Sequence, residues 1–413
     1  MDFDIKSMGA VSDGKTKNTK IIQEAIDLCS KHGGRVVIAD GTYLTGKLIM
    51  KSNVELHIAA GGVLLGSADY NDYPESENLK TVDSKMLPRC RNAALIFAES
   101  AENISITGMG KIDCNGESFV EKLDREPESH GWEYKRNSEN TPPRVVFFAS
   151  CKNVKVEDVT MVNQPAGWSY WIHACEYVNF TRVKILADVR YPNNDGIHIN
   201  CSNDVTVTDS FITCGDDAIV IRANSVSLKE NRPCERVCVS NCTLRSYVNC
   251  IRIGWINDGV IRNCVFSNLV MHDSVYGVGI YLPYRVYTNA DIRIFDKSKP
   301  ISTDVGREMT LIENLKFDNI IMDTIYKNPI FIEIDEHEDV KCKQINNILF
   351  SNVTAFACKY PHFKGRETTP LGDIYFCNSS FSKISDGEDD AVSDEPMSEA
   401  YADRIHFINT EIN

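Results

Sequence analysis

Short bursts of strict apolar–polar alternation recur along most of the chain. The pairs are Ile104/Ile106, Val154/Val156, Val178/Phe180, Val205/Val207, Val237/Val239, Leu315/Phe317, Ile348/Phe350, Ile374/Phe376 and Ile405/Phe407, most followed within a few residues by Asp or Asn and then by a second short strand pattern. Period-2 alternation predicts strands with one buried face. The steps between repeats, 154 to 178 (24), 178 to 205 (27), 205 to 237 (32) and 348 to 374 (26), are too uneven for propeller blades. They suit coils with loops of varying length, and because each strand is too short to bury its face alone, successive coils must stack to make the core. The predicted fold is an all-β parallel β-helix, one domain over residues 1–413.

Only one segment carries helical periodicity. Residues 18–32 open on Asn18 and Thr19 as a cap, place Ile21, Ile22, Ala25, Ile26 and Cys29 on one face, and stop at Gly33 and Gly34. Such a helix is expected to cover the open end of the first coil, with strands beginning at Arg35. Residues 67–99 and 115–143 interrupt the pattern with Tyr70, Tyr73, Pro74, Trp132, Tyr134, Pro142 and Pro143, as surface loops or as the wall of a cleft. Residues 385–403 are acidic and poor in large apolar groups, and are expected to form a mobile loop before the last strand.

Composition narrows the partners. The chain is 43% hydrophobic, and its net charge of 44 − 58 = −14 disfavours nucleic acid and anionic membrane surfaces. The start has neither a basic leader nor an apolar run, so neither export nor membrane insertion is expected. Fifteen cysteines without a C-x-x-C pair are read as reduced core residues of a cytoplasmic protein. No metal or cofactor is expected.

Chemistry concentrates between Asn193 and Arg222. Asp195 opens one short strand, Asp216 and Asp217 the next, with Gly196 and Gly215 expected to bend the backbone sharply beside them. One such aspartate is ordinary turn chemistry. Three on neighbouring coils suggest a reaction site.

These residues resemble family 28 of the glycoside hydrolases, the polygalacturonase family. Asn193-x-Asp195-Gly196 and Gly215-Asp216-Asp217 at this spacing are the specific part, supported by Gly41–Gly46, Leu64–Ser67, Gly108–Asp113 and Asn163–Trp168. The resemblance implies a right-handed parallel β-helix and cleavage by inversion, with Asp216 as general acid and with Asp195 and Asp217 holding the attacking water. Independent chemistry agrees, since inversion needs one protonated and one ionised carboxyl with a water between, and crowded carboxylates keep a proton near neutrality. Two motifs depart from the family. Val248-Asn249-Cys250 stands where polygalacturonases carry G-H-G, and Gly279-Ile280-Tyr281 where they carry R-I-K to grip a uronate.

If the isoleucines of these strands point inward, His198, Asn200, Arg222, Arg252 and Tyr281 share the outward face with the acids. Asn249, in the position of the family's histidine, joins them as a substrate contact. Arg222 is equally a structural ion pair; Arg252 is weighted toward a substrate carboxylate; His198 is a replacement acid–base partner or a packing residue. Tyr281 and Trp255 are read as sugar-stacking platforms, with the core as the alternative for Trp255, which alternates inward. Three readings follow: an exo-acting inverting glycosidase on pectin-type oligosaccharides that is not a standard polygalacturonase, a polysaccharide lyase with a calcium site, or a non-catalytic carbohydrate-binding solenoid.

Overall fold

The structure is a computed structural model; it describes all residues except 89–90, 125–129, 138–139, 143, 285–304 and 386–396. Its strands coil into a right-handed parallel β-helix. A coil runs through two short strands of one extended sheet and then through one strand of a separate eleven-stranded sheet. Val154, Val178, Val205 and Val237 lie in one column, paired in register coil upon coil. Between Cys234 and Ala357 the two short strands fuse into long bent ones, such as Thr310–Ile325 and Cys342–Ala357, and they separate again in the last coils.

The Asp and Asn that close the alternating units do the bending. Asn241, Asn268, Asn319 and Asn352 all adopt positive φ within these long strands, a conformation that asparagine tolerates better than most residues. Their side chains also stack: Asn268 donates to Asn241 at 3.1 Å and Asn319 to Asn268 at 2.8 Å. Inside the solenoid Phe266, Phe317, Phe350 and Phe376 stack ring on ring at 4.5–4.8 Å. The irregular repeat of the sequence is therefore regular in space, because loop residues absorb the variation.

The helix spans Thr19–Cys29 and buries Ile22, Ala25, Ile26 and Cys29 over the first coil. Two expectations about this end change. Asn18 does not cap the helix with its side chain; its amide instead holds Val11 and Thr16 of the preceding loop. Strands also begin before the helix, since Asp2–Asp4 pairs with Gly34–Ile38 and Asp13–Lys17 with Gly41–Thr45.

A second, smaller apolar cluster lies outside the solenoid. Phe97, Phe147 and Trp171 project outward from the eleven-stranded sheet and are covered by Leu79, Val82, Leu87 and Leu228. The 67–99 insertion is fastened there by a bridge between Val82 and Leu228 and by Asp83 donating to the Ser227 carbonyl at 2.8 Å. Most of the acidic segment falls outside the described residues, but Ser398–Ala400 within it is a strand paired with His362–Lys364.

Phe317→Ala should remove the middle of the aromatic stack and cost about 3–5 kcal/mol. Urea unfolding monitored by circular dichroism checks it; a shift below about 1 kcal/mol would mean that the coils close over the gap.

Candidate active site

Three columns of side chains run along the outer face of the eleven-stranded sheet, set by the pairing of Ile197 with Ile219, Ile219 with Ile251 and Ile251 with Val278. Two residues before these, Asp195, Asp217, Asn249 and Tyr276 occupy equivalent positions on successive coils. Next come His198, Val220, Arg252, Gly279, Phe331 and His362, and then Asn200, Arg222, Tyr281, Glu333 and Lys364. The aspartates thus converge, because buried isoleucines lock the register.

Gly196 and Gly215 serve that convergence by a different route than expected. Neither has positive φ; instead a Cβ at Gly196 would lie 2.3 Å from the Ala218 carbonyl oxygen, and one at Gly215 would lie 2.2 Å from that of Tyr191. They let backbones approach. Asn194 ties the two turns together by accepting from the Gly215 amide at 2.7 Å and donating to the Asp188 carbonyl at 2.8 Å. Trp132, from the 115–143 insertion, donates its indole N–H to the Gly215 carbonyl at 2.5 Å, so that insertion walls the site beside Asp216.

Each acid has a distinct setting. Asp216 is buried and accepts from the Asn193 amide at 3.1 Å, the Asn193 side chain at 3.2 Å and the Asp217 amide at 3.1 Å. Asp217 accepts from the backbone and side chain of Asn249, at 3.1 and 2.6 Å. Burial, and then the neighbouring Asp216 charge, nonetheless push the Asp217 carboxyl up to about 7, against the opposing pull of Arg252 and Asn249. The Asp217 carboxyl therefore keeps a proton close to neutrality beside the Asp216 charge. Asp195 is buried, with its Oδ2 3.6 Å from His198 Nδ1.

The remaining candidates are placed as follows. His198 is buried against Trp168, with ring centroids 4.1 Å apart, and burial together with Arg222 and Arg144 holds it neutral beside Asp195. Arg222 is committed to Asp258, with Nε–Oδ2 at 2.6 Å and Nη2–Oδ1 at 2.9 Å, both residues buried. The ion-pair alternative holds for it. Arg252, expected to reach the cleft, is 1% exposed: its guanidinium lies 3.6 Å from the Tyr281 ring and 5.0 Å from that of Trp255, and donates to the Tyr281 carbonyl at 2.8 Å. Alternation put it on the correct face but carried no sign that Tyr281 would cover it. Trp255, read as a stacking platform or as core, is partly buried against the core, with Arg252 and Arg222 5.0 and 5.5 Å from its ring.

Asn249 acts on Asp217. Gly279 makes room for this, since a Cβ there would sit 2.3 Å from Asn249 Oδ1. Asp258, Trp168 and Trp171 escaped sequence reasoning. Asp258 is separated in sequence from Arg222 and lacks a motif, whereas continuing the period-2 count one coil back to Trp168–His173 would have found the tryptophans. Trp168, Trp171, His198, Asn200, Arg222 and Ser227 line a small cavity beside Asp195.

Replacing Asp217 by Asn should change stability in a pH-dependent way. Between about pH 4 and 7 the native carboxyl keeps a proton that the unfolded chain has lost, so wild-type stability falls as pH rises through this window. Asp217→Asn should therefore gain on wild type from pH 4 to pH 8 in thermal melts; a difference independent of pH would refute the raised carboxyl. Separately, Asp258→Asn should cost about 3–5 kcal/mol by stranding Arg222, measured by urea unfolding.

Comparison with known proteins places these features in context. The family model of the glycosyl hydrolases family 28 matches residues 80–234, which include all three aspartates. A probable polygalacturonase of Vitis vinifera is 26% identical over 281 residues, 66% of this chain but only 55% of that protein. An exopolygalacturonase of Arabidopsis thaliana is 27% identical over 359 residues, 85% of this chain and 71% of the relative. Among solved structures, the family 28 exopolygalacturonase of Yersinia enterocolitica superposes with a TM-score of 0.67 at 21% identity, over 99% of this chain and 78% of that one, a likeness of fold.

Proposed function

The chain belongs to family 28 of the glycosyl hydrolases, and on that footing we propose that it is an inverting, exo-acting glycosidase of pectin-related oligosaccharides that is not a standard polygalacturonase. The observation that carries this reading is the register of Asp195 and Asp217 on adjacent coils, with Asp216 beside them, in a groove stopped a coil away by the Phe97–Phe147–Trp171 cluster. Inversion divides the work between a carboxylic acid that protonates the departing oxygen and a carboxylate that activates water on the opposite face. Asp216 is assigned as the acid, drawing on the proton it shares with Asp217; Asp195 and Asp217 hold the water.

Exo action is supported by the same apolar cluster. A polymer cannot run through a sheet face covered by Leu79, Val82, Leu87 and Leu228, so a chain end must stop beside the acids while the remainder leaves over later coils. The departure from standard polygalacturonases rests on Gly279, which presents no side chain, on Tyr281, which presents an aromatic face, and on Asn249, which is spent on Asp217. Arg252 does not restore the missing cation, being sandwiched beneath Tyr281. A neutral sugar beside Tyr281 fits that surface better than a uronate. The cytoplasm is the proposed location, on the reading of the largely buried cysteines as small core residues.

Asp216→Asn should lower the hydrolysis rate by about 10²–10⁴-fold, and an aryl glycoside with an activated leaving group should rescue it better than Asp195→Asn. Rescue of Asp217→Asn in its place would transfer the acid role to Asp217. Polygalacturonic acid should be cleaved with a kcat/KM roughly 10²-fold below that of a matched substrate with a neutral sugar beside Tyr281. Reducing-sugar release from both substrates checks this, and equal rates would remove the neutral-sugar reading.

A further inference from the structure

Beyond the acids the sheet face carries a second polar–aromatic surface. Tyr276 follows Asn249 in the first column; Phe331 and His362 follow Gly279 in the second; Glu333 and Lys364 follow Tyr281 in the third. Tyr276, Tyr281, Phe331, Glu333, His362 and Lys364 are all partly exposed, unlike the buried tryptophans on the other side of the acids.

Their geometry is that of a platform with a polar rim. Phe331 stacks on His362 with centroids 4.5 Å apart and planes 10° from parallel, while Tyr276 and Tyr281 meet Phe331 edge-on at 5.6 and 5.5 Å. Along one edge Glu333 takes a 2.9 Å contact from His362 Nε2 and a 3.8 Å one from Lys364, and these two neighbours hold its carboxyl below the usual glutamate range. Glu333 is thus an ionised acceptor of fixed orientation at the margin of an apolar aromatic face. Aromatic faces stack on sugar rings, and a carboxylate at the rim accepts from their hydroxyls. Of the cations around it, Lys364 faces Glu333, Arg252 lies against the Tyr281 ring at 3.6 Å and Lys327 lies 5.6 Å from the Tyr276 ring.

Spacing locates the platform relative to the reaction. Glu333 lies three coils beyond Asp217, about 14 Å along the axis at the usual strand separation, and five residues further across the sheet, so an extended oligosaccharide must span three or more sugar residues to reach it.

We propose that Phe331, His362, Glu333 and Tyr281 form a distal subsite for an uncharged sugar ring, three or more residues from the cleaved bond. The stacking faces hold the ring. The Glu333–His362 pair reads its hydroxyls, and Glu333 disfavours a carboxylate in the same position. This rests on the glycosidase reading above, but its test is one of binding and does not require turnover.

The experiment uses the full chain carrying Asp216→Asn and isothermal titration with α-1,4-linked oligogalacturonates of two and four residues, each with its carboxyl-reduced counterpart. The expected result is tighter binding of the tetramer than the dimer, with the gain larger in the carboxyl-reduced series. Adding Glu333→Gln or Phe331→Ala should weaken the tetramer roughly tenfold more than the dimer, about the contribution of one charge-assisted hydrogen bond or stacked ring. Equal losses for both lengths, affinity independent of length, or preference for the charged tetramer would each overturn the subsite, as would failure of the whole series to bind. Normal binding with no cleavage of any of them by the wild-type enzyme would instead strike the catalytic reading and leave the subsite standing.

Discussion

Everything in this molecule depends on parallel pairing held in register by buried aliphatic side chains. Ile197, Ile219 and Ile251 sit in one inward column, each fully buried and each paired with the next. A slip by one residue would turn that column outward and carry His198, Val220 and Arg252 into the core, at a cost of several buried apolar groups and at least one unsolvated charge. The outer face inherits its order from this inner constraint. Asp195 and Asp217 meet because the isoleucines two residues later cannot move.

The outer face is then partitioned by what covers it. On the side of the N-terminal helix, aromatic side chains are roofed by an insertion and become a small core. At the acids, burial is deep enough to raise the Asp217 carboxyl, yet Asn193 and Asn249 supply the hydrogen bonds that keep the pair oriented. Beyond the acids the face opens into partly exposed aromatics. Low dielectric, directed hydrogen bonds and accessible stacking surface thus follow one another along a single sheet, as a processive change in burial.

The two arginines show how charge is managed beside such a site. Arg222 is held bidentately by Asp258, and Arg252 is desolvated between two aromatic rings. Both face the correct side of the sheet, and neither presents its guanidinium to the groove as a grip. Arg252 instead acts on Asp217 at a distance, opposing the rise of its carboxyl. Gly279 is the small residue that permits this arrangement, since any side chain there would displace Asn249 from the acid.

The chain by itself determined what depends on local periodicity. Alternation at Val205/Val207 and its counterparts implied stacked coils, the helical stripe from Ile22 to Cys29 implied a cap, and the spacing of Asp195 from Asp216 implied that the acids share a face. These follow from the two-residue period and from the need of short strands to bury one side. Only the tertiary structure decided what long-range contacts do to each outward residue: that Asp258 claims Arg222, that Tyr281 covers Arg252, that Asn18 braces a loop and leaves the helix uncapped, and that Val82 and Leu228 close the groove. Such partners lie tens to hundreds of residues apart with no motif linking them, because in a solenoid the contacts between coils are made by loops whose lengths the repeat leaves unspecified.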